Sequence, residues 1–437
     1  MAKVRSFKLL FLSFIICFSF SGTIITGHAA VNEQDLPLTD QTVHSQTKGA
    51  VAIDADNGQI LYGKNSNQRL PIASVSKLVT LVIVRQRIHD HQLDWNTKVP
   101  IGRAVATLSQ NPLFTNVPLQ AGQTYTVKQL YNASLVTSAN AAAMALGNYI
   151  AGPNGDFGQI MRQTVAKWGI KNAPLYNACG LTNRELGSLG DDKLSGSTEN
   201  KLSATETALV AQKLYRLDPT IVQTTSLSQI SWNGIPEPAT NHLVGRHAGF
   251  TVDGFKTGTS NTVGENLVAT ATKGKQRVIT VVIGASVGQR NLQTVKILNG
   301  LNQLKVVTPN RHMLPYQTLP VINGKQPTVS LGFNNPPHYW LRHSDQLKSR
   351  LEPNDGLKQF FTPLAPLQKG QPFGHLIVTA PHLQFLRSHS SSVPVIFTSS
   401  DAIAWGRLLW GLIELIIILA GLGYFVIWLR TRYTPRH

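Results

Sequence analysis

Ser74 and Lys77 stand three residues apart in Ile72-Ala73-Ser74-Val75-Ser76-Lys77-Leu78, at the head of the apolar run LVTLVIV. On a helix, positions i and i+3 share a face, which brings the amine beneath the hydroxyl. Burial in an apolar helix disfavours the ammonium and lowers its pKa, and a neutral amine can take the serine proton. The helix N-terminus adds a positive dipole end where an oxyanion would form. The chemistry implied is acyl transfer through a serine nucleophile. A second Ser-x-x-Lys, Ser45 to Lys48, has no apolar helix behind it and runs directly into Gly49, so the same spacing carries no chemistry there.

Spacing alone is a weak signal, since roughly one or two such matches arise by chance in a chain of this composition. Its weight comes from two later motifs. Ser138-Ala139-Asn140 lies between two helical patterns in TSANAAAMAL, and Lys256-Thr257-Gly258 lies on a strand pattern in DGFKTGTS. Other chemistries find less support. Cys17 falls in an apolar leader, which leaves Cys179 as a small buried thiol unable to form an internal disulfide. The thirteen histidines show no paired ligand spacing on a helix, so neither a metal nor another cofactor is expected. The formal charge of +18 comes without a basic run interleaved with aromatics, and no nucleic acid is expected as a partner.

The elements that must position these residues follow from pattern. GAVAIDADNGQILYGKN reads as a hairpin about Asp56-Asn57-Gly58. From 72 to about 230 the pattern is mainly helical, in IASVSKLVTLVIVRQRI, VKQLYNASLV, AAAMALGNYIAG, DFGQIMRQTVAKWGI and ATETALVAQKLYRL. Strand signals return in VDGFKTGTS and ENLVATATKGKQRVITVVIGAS, before a helical QRNLQTVKILNGLNQL. Strands at both ends of a helical middle predict one mostly antiparallel sheet covered by helices, over residues 48–305. Residues 310–400 alternate between Pro and Gly breaks and predict a small β-rich domain.

The two ends read differently. Residues 1–30 have the basic start, apolar middle and small terminal residues of a secretory signal, and residues 31–47 read as a polar linker. Residues 401–437 hold an apolar stretch of membrane-spanning length, 408–429, followed by Arg430, Arg432 and Arg436. The basic tail predicts a single span with its C-terminus in the cytoplasm and the preceding domains outside.

Taken with LPIASVSKL, LVTSANAAAMAL, VDGFKTGTS and ENLVATAT, the three motifs in this order resemble those of low-molecular-mass penicillin-binding proteins, the serine-type D-alanyl-D-alanine carboxypeptidases. The resemblance covers nearly the whole chain. It implies an α/β (α+β) catalytic domain of the β-lactamase and penicillin-binding-protein type, followed by the β-rich domain and a C-terminal transmembrane helix. It implies removal of the terminal D-Ala from peptidoglycan pentapeptides, limiting cross-linking, with β-lactam antibiotics as covalent inhibitors at a bacterial cell membrane.

On these residues, the resemblance implies that Ser74 attacks the penultimate D-Ala carbonyl with Lys77 as base. Ser138 would relay a proton to the leaving amine, and Asn140 would hold Lys77 and the substrate amide. Lys256 would keep Lys77 neutral and, with Thr257, attract the substrate carboxylate. Gly258 would leave room for a peptide along the strand, and the N–H groups of Ser74 and Thr259 would form the oxyanion hole. The resemblance also implies Arg290, by its similar placement, as a candidate further ligand for the carboxylate. Ala139 and Thr259 stand where glycine and histidine are frequent, and the C-terminal span replaces the usual amphipathic helix. A transpeptidase or endopeptidase on the same substrate, a β-lactamase and a non-catalytic wall-binding scaffold are the alternatives. A class A β-lactamase needs a glutamate for its deacylating water, and Glu185, Glu199 and Glu206 lack the Glu-x-x-Leu-Asn setting.

Overall fold

The computed structural model describes residues 30–153, 155–354, 362–386 and 391–433. The expected signal, but for its last residue, and Arg436 lie outside these. Strands β1 (Gly49–Asp54) and β2 (Gln59–Lys64) form the hairpin, its turn closed by Gly58 at φ +77°. Asp54 caps that turn by accepting from the backbone N–H groups of Asp56 and Asn57. Later come β3 (Gly245–His247), β4 (Phe250–Ser260), β5 (Gly264–Lys273), β6 (Gln276–Ala285) and β7 (Gln384–Phe385). Their order across the sheet is β7-β2-β1-β6-β5-β4-β3, with antiparallel neighbours throughout.

The longer helices packed on the sheet and around the site are α1 (Lys77–His89), α2 (Val127–Leu135), α3 (Asn140–Ala151), α4 (Phe157–Ala166), α5 (Ala204–Leu217) and α6 (Arg290–Leu301). Successive strand side chains point to opposite faces, so the sheet serves two cores. Val51, Ile53, Ile279 and Val281 pack with α1 and α5, whereas Ala50, Ala52, Val278 and Val282 pack with Ile297, Leu298 and Leu301 of α6. Helices on both faces explain why β1 and β6 read as continuous apolar runs instead of alternating ones. Residues Lys77 to Val84 of α1 are all buried, and each large aliphatic side chain there contributes roughly 1.5–3 kcal/mol. Capping boxes start α2 at Thr126 and Gln129, and α5 at Ser203 and Glu206.

Residues 31–47, expected as a linker, are part of the fold. Val31 and Leu36 enter one core, Leu38 and Val43 the other, and Asp40 accepts a hydrogen bond from Tyr62 and pairs with Lys64. Four scattered apolar residues carry no periodicity, which is why this packing has no sequence pattern.

The β-rich domain centres on a five-stranded sheet with its own core of Val329, Leu331, Phe373, Leu376, Val393, Val395 and Phe397. It is tied at β2 to the domain built on the seven-stranded sheet. Strand β7 extends the central sheet, and Gln59 bonds both backbone groups of Trp340. Asp54, fully buried, accepts from His338 Nε2 at 2.6 Å and Trp340 Nε1 at 2.8 Å. With Asp56, these groups put three potential metal-ligating side chains within 4.8 Å of one another, which histidine spacing alone did not reveal. Last comes α7 (Trp405–Tyr433), apolar on all sides, exposed, and long enough to cross a membrane.

The Asp54–His338 contact makes interdomain stability pH-dependent. Burial by itself lowers the His338 pKa, but the hydrogen bond and charge of Asp54 outweigh it, leaving a net rise above the ordinary 6.5. The stabilisation is therefore full below pH 6.5 and lost as pH rises through the raised value. We expect His338→Gln to lower stability by roughly 1–2 kcal/mol in acid, with the gap closing in alkali. Thermal unfolding of both proteins across pH tests this, and a constant gap would contradict it.

Candidate active site

Ser74 lies in a single 3-10 turn, Ala73–Ser76, that feeds directly into α1. Three residues per turn eclipse i and i+3 more closely than an α-helix does. Lys77 Nζ accordingly lies 2.8 Å from Ser74 Oγ. It also donates to Asn140 Oδ1 at 2.7 Å and to the Cys179 carbonyl at 3.0 Å. Lys77 is fully buried, and that burial lowers its pKa to about 8. Asn140 is itself fixed, its side chain and backbone N–H both donating to the Thr115 carbonyl.

The second lysine arrives on β4. Lys256 Nζ donates to Ser138 Oγ at 2.7 Å and to the Thr257 carbonyl at 2.9 Å. Its pKa is pushed well down, first by burial and then by the charges of Lys77 and Arg290. The cause at Lys77 is thus burial, and the influence between the two lysines is felt at Lys256. Ser138 adopts φ +63° and Ala73 φ +48°, left-handed conformations that cost non-glycine residues energy and cluster at functional sites.

Thr257 Oγ1 lies 2.6 Å from Thr240 Oγ1, and Thr259 Oγ1 accepts from Arg290 Nη1 at 3.1 Å. Arg290 begins α6 and lies 4.0 Å from the Glu265 carboxylate. All nine expected residues except Lys77 and Lys256, which lie beneath it, line one cleft of about 380 Å³. Gly258 also has a packing role that its expected one did not include. A Cβ there would lie 2.9 Å from the Ile72 carbonyl and 3.3 Å from Ser74 N. Glycine thus lets β4 close against the nucleophile's own turn.

Three contributors escaped the sequence reading. The Cys179 carbonyl holds Lys77, while its thiol lies buried 3.4 Å from Asn177 Oδ1. Gly180, at φ +86°, passes so close to Ala73 that a Cβ would lie 1.9 Å from its carbonyl oxygen. Thr240 supports Thr257. Backbone acceptors leave no signature in residue type, so only the Cys-Gly pair in YNACGLTN hinted at a tight approach. Ser45, by contrast, bonds Thr47 at 2.9 Å, and Lys48 points to the Thr262 carbonyl.

This arrangement and the fold around it define a serine hydrolase with the penicillin-binding-protein architecture. The family model for D-alanyl-D-alanine carboxypeptidases, Peptidase S11, matches residues 36–287, more than half of the 437-residue chain. The chain belongs to that family. It is 27% identical over 359 residues to the D-alanyl-D-alanine carboxypeptidase DacF of Bacillus subtilis, covering 80% of this chain and 85% of that one. It is 29% identical over 297 residues to DacD of Escherichia coli, covering 64% and 72%. Among solved structures, penicillin-binding protein 3 of Streptococcus pneumoniae, described as a peptidoglycan synthesis regulatory factor, matches with a TM-score of 0.73 at 29% identity. That match covers 82% of this chain and 99% of that chain.

Replacing Gly258 with alanine should push β4 off the Ser74 turn while leaving both cores intact. The expected result is a fall in turnover of about a hundredfold with a thermal midpoint within a few degrees of wild type. Equal activity in the variant would contradict the close approach.

Proposed function

We propose that this chain removes the C-terminal D-Ala from peptidoglycan stem peptides through an acyl-enzyme on Ser74. The observation that carries this reading is Lys77, buried, bonded only to neutral groups, and within 2.8 Å of the serine hydroxyl. The neutral amine takes the Ser74 proton as Oγ attacks the penultimate D-Ala carbonyl. The N–H groups of Ser74 and Thr259 hold the oxyanion. Ser138, bonded to Lys256, delivers a proton to the departing D-Ala nitrogen, and water then releases the shortened peptide.

Lys256, Thr257 and Arg290 receive the terminal carboxylate. Burial disfavours the Lys256 ammonium in the free enzyme, and an arriving carboxylate restores it. A penicillin would acylate Ser74 by the same attack. The carboxypeptidase reading is favoured over a β-lactamase because Glu199 bonds Ser260 and Thr262 and the third partner of Lys77 is a carbonyl. Glu206 is committed to a bidentate contact with Arg69.

The pH dependence follows from Lys77. With its pKa lowered to about 8, acylation by a fluorescent penicillin should rise with pH and level off near that value. A rise continuing to the ordinary lysine range of 10.5 would refute a neutral base. Ser74→Ala should abolish the label and lower D-Ala release by at least about a thousandfold. A pentapeptide ending in D-Ala-D-Ala should give free D-Ala and tetrapeptide, whereas a cross-linked product would favour a transpeptidase.

We further propose that α7 anchors the enzyme with its catalytic domain outside the cell, the β-rich domain serving as a stalk. A chain ending at Ala404 should remain in the soluble fraction with unchanged turnover of soluble peptide and reduced action on wall material. Retention in the membrane fraction would assign anchoring elsewhere.

A further inference from the structure

The β-rich domain meets α7 without a spacer. Residues 322–325 run beside the last residues before that helix: Gly324 bridges Ile403, Lys325 N donates to the Ala402 carbonyl at 2.9 Å, and Ala404 N donates to the Asn323 carbonyl at 2.8 Å. The Ala404 carbonyl accepts in turn from Arg407 N at 3.0 Å, in the first turn of α7. Ile322 also bridges Leu364, accepting from Ala365 N and donating to the Pro363 carbonyl. Both of these neighbouring side chains are exposed, Ile322 at 47% and Leu364 at 61%. Among the described residues of 310–400, Tyr316 is the third large apolar residue so exposed, so two of the three gather at the end of the domain that joins α7. Trp405, 65% exposed, continues the same apolar surface onto the helix.

Resting on the reading that α7 spans the membrane, this connection sets the depth of the loop. The apolar stretch 408–429 rises about 33 Å as a helix, matching a hydrocarbon core of about 30 Å. Trp405 and Arg407 therefore fall in the headgroup layer, where such residues are favoured. That layer is about 5–8 Å deep on each side. A loop bonded through its backbone to Ala404, just ahead of Leu408, cannot stand clear of it. The charges agree. Segments 318–327, 362–371 and 398–407 carry Lys325, Lys369 and Arg407, all exposed, against a single acid, Asp401. Asp401 is buried and accepts from the backbone N–H groups of Gln326 and Ala402. Lys369 N bonds Ser400 Oγ at 2.9 Å, in the segment that leads to α7.

We propose that this end of the β-rich domain is a second membrane contact, in which Ile322, Leu364 and Trp405 seat in the outer headgroup layer and Lys325, Lys369 and Arg407 meet the phosphates of anionic lipids. A small surface suffices, because α7 already holds the loop at the bilayer and the contact forms within one molecule. The foot of the stalk is then fixed on the membrane, and with it the direction in which the catalytic domain stands.

The test places an environment-sensitive fluorophore on single cysteines in the full-length chain, in a Cys17→Ser background with Cys179 buried. Ile322→Cys and Leu364→Cys report the contact, Leu412→Cys reports α7, and Leu227→Cys reports an exposed site on the catalytic domain. The protein is reconstituted in vesicles of phosphatidylcholine and phosphatidylglycerol that carry nitroxide lipids, and thermal midpoints report folding. Labels at Ile322 and Leu364 should shift to the blue and lose intensity at every protein-to-lipid ratio, with the label at Leu227 unchanged. That loss should shrink in high salt, in phosphatidylcholine alone and in the Lys325→Glu, Lys369→Glu double variant. A loss that stays the same in phosphatidylcholine alone overturns the anionic-lipid contact. Quenching at Leu412 without quenching at Ile322 and Leu364 overturns the second contact and leaves the anchor standing, whereas quenching at none of them overturns both. Quenching at Ile322 and Leu364 that appears only as protein crowds the vesicle assigns the face to a second copy of the chain and overturns the proposal, as does equal quenching at Leu227.

Discussion

A lysine nitrogen buried without a carboxylate is the constraint from which the rest of the site follows. An unpaired buried ammonium is costly, so Lys77 tends toward the neutral amine, and even that amine needs hydrogen-bond partners. They come from three segments: Ser74 one turn away, Asn140 at the start of α3, and the Cys179 carbonyl. Bringing three segments to one atom forces backbone into close quarters. Ala73 takes a left-handed conformation, and Gly180 passes where a methyl group would overlap the Ala73 carbonyl. The strain and the two glycines are consequences of where that nitrogen sits.

The sheet supplies what the helices cannot. Ser74 and Asn140 stand on helix starts, but the second lysine and the threonines must arrive along an extended edge that a peptide can follow. Strand β4 delivers them because period-two alternation separates Lys256 and Gly258 from Thr257 and Thr259. One face thereby meets Ser138 and the nucleophile's turn, while the other meets Thr240 and Arg290. Registration with β5, which pairs Lys256 with Val268 and Thr259 with Glu265, fixes this division. A shift of one residue would exchange the two faces.

What was legible in the sequence divides along the same physical line. Side-chain chemistry was readable: Ser74, Lys77, Ser138, Asn140, Lys256 and Thr257 converge because their types and local periodicities announce both group and element. The antiparallel sheet between helices was readable from the order of patterns. Backbone chemistry was not, since the carbonyl of Cys179 would be the same atom in any residue. Tertiary packing without period was also hidden, which is why residues 31–47 and the pairing of Gln384 and Phe385 with β2 gave no signal. The sequence motif singles out Gly258, but its close approach to the Ser74 turn depends on two segments nearly two hundred positions apart.

Glu199 belongs to that hidden class: it lines the cleft beneath which both lysines lie and bonds neither of them. A carboxylate bonded to Lys77 would stabilise the ammonium, raise its pKa and remove the base that serine activation requires. The neutral carbonyl of Cys179 and the amide of Asn140 satisfy the same nitrogen without that penalty. Glu199 instead accepts from the hydroxyls of Ser260 and Thr262, at the end of β4. Base strength at Lys77 thus depends on neutral partners, and Glu199 bonds none of the groups that hold that nitrogen.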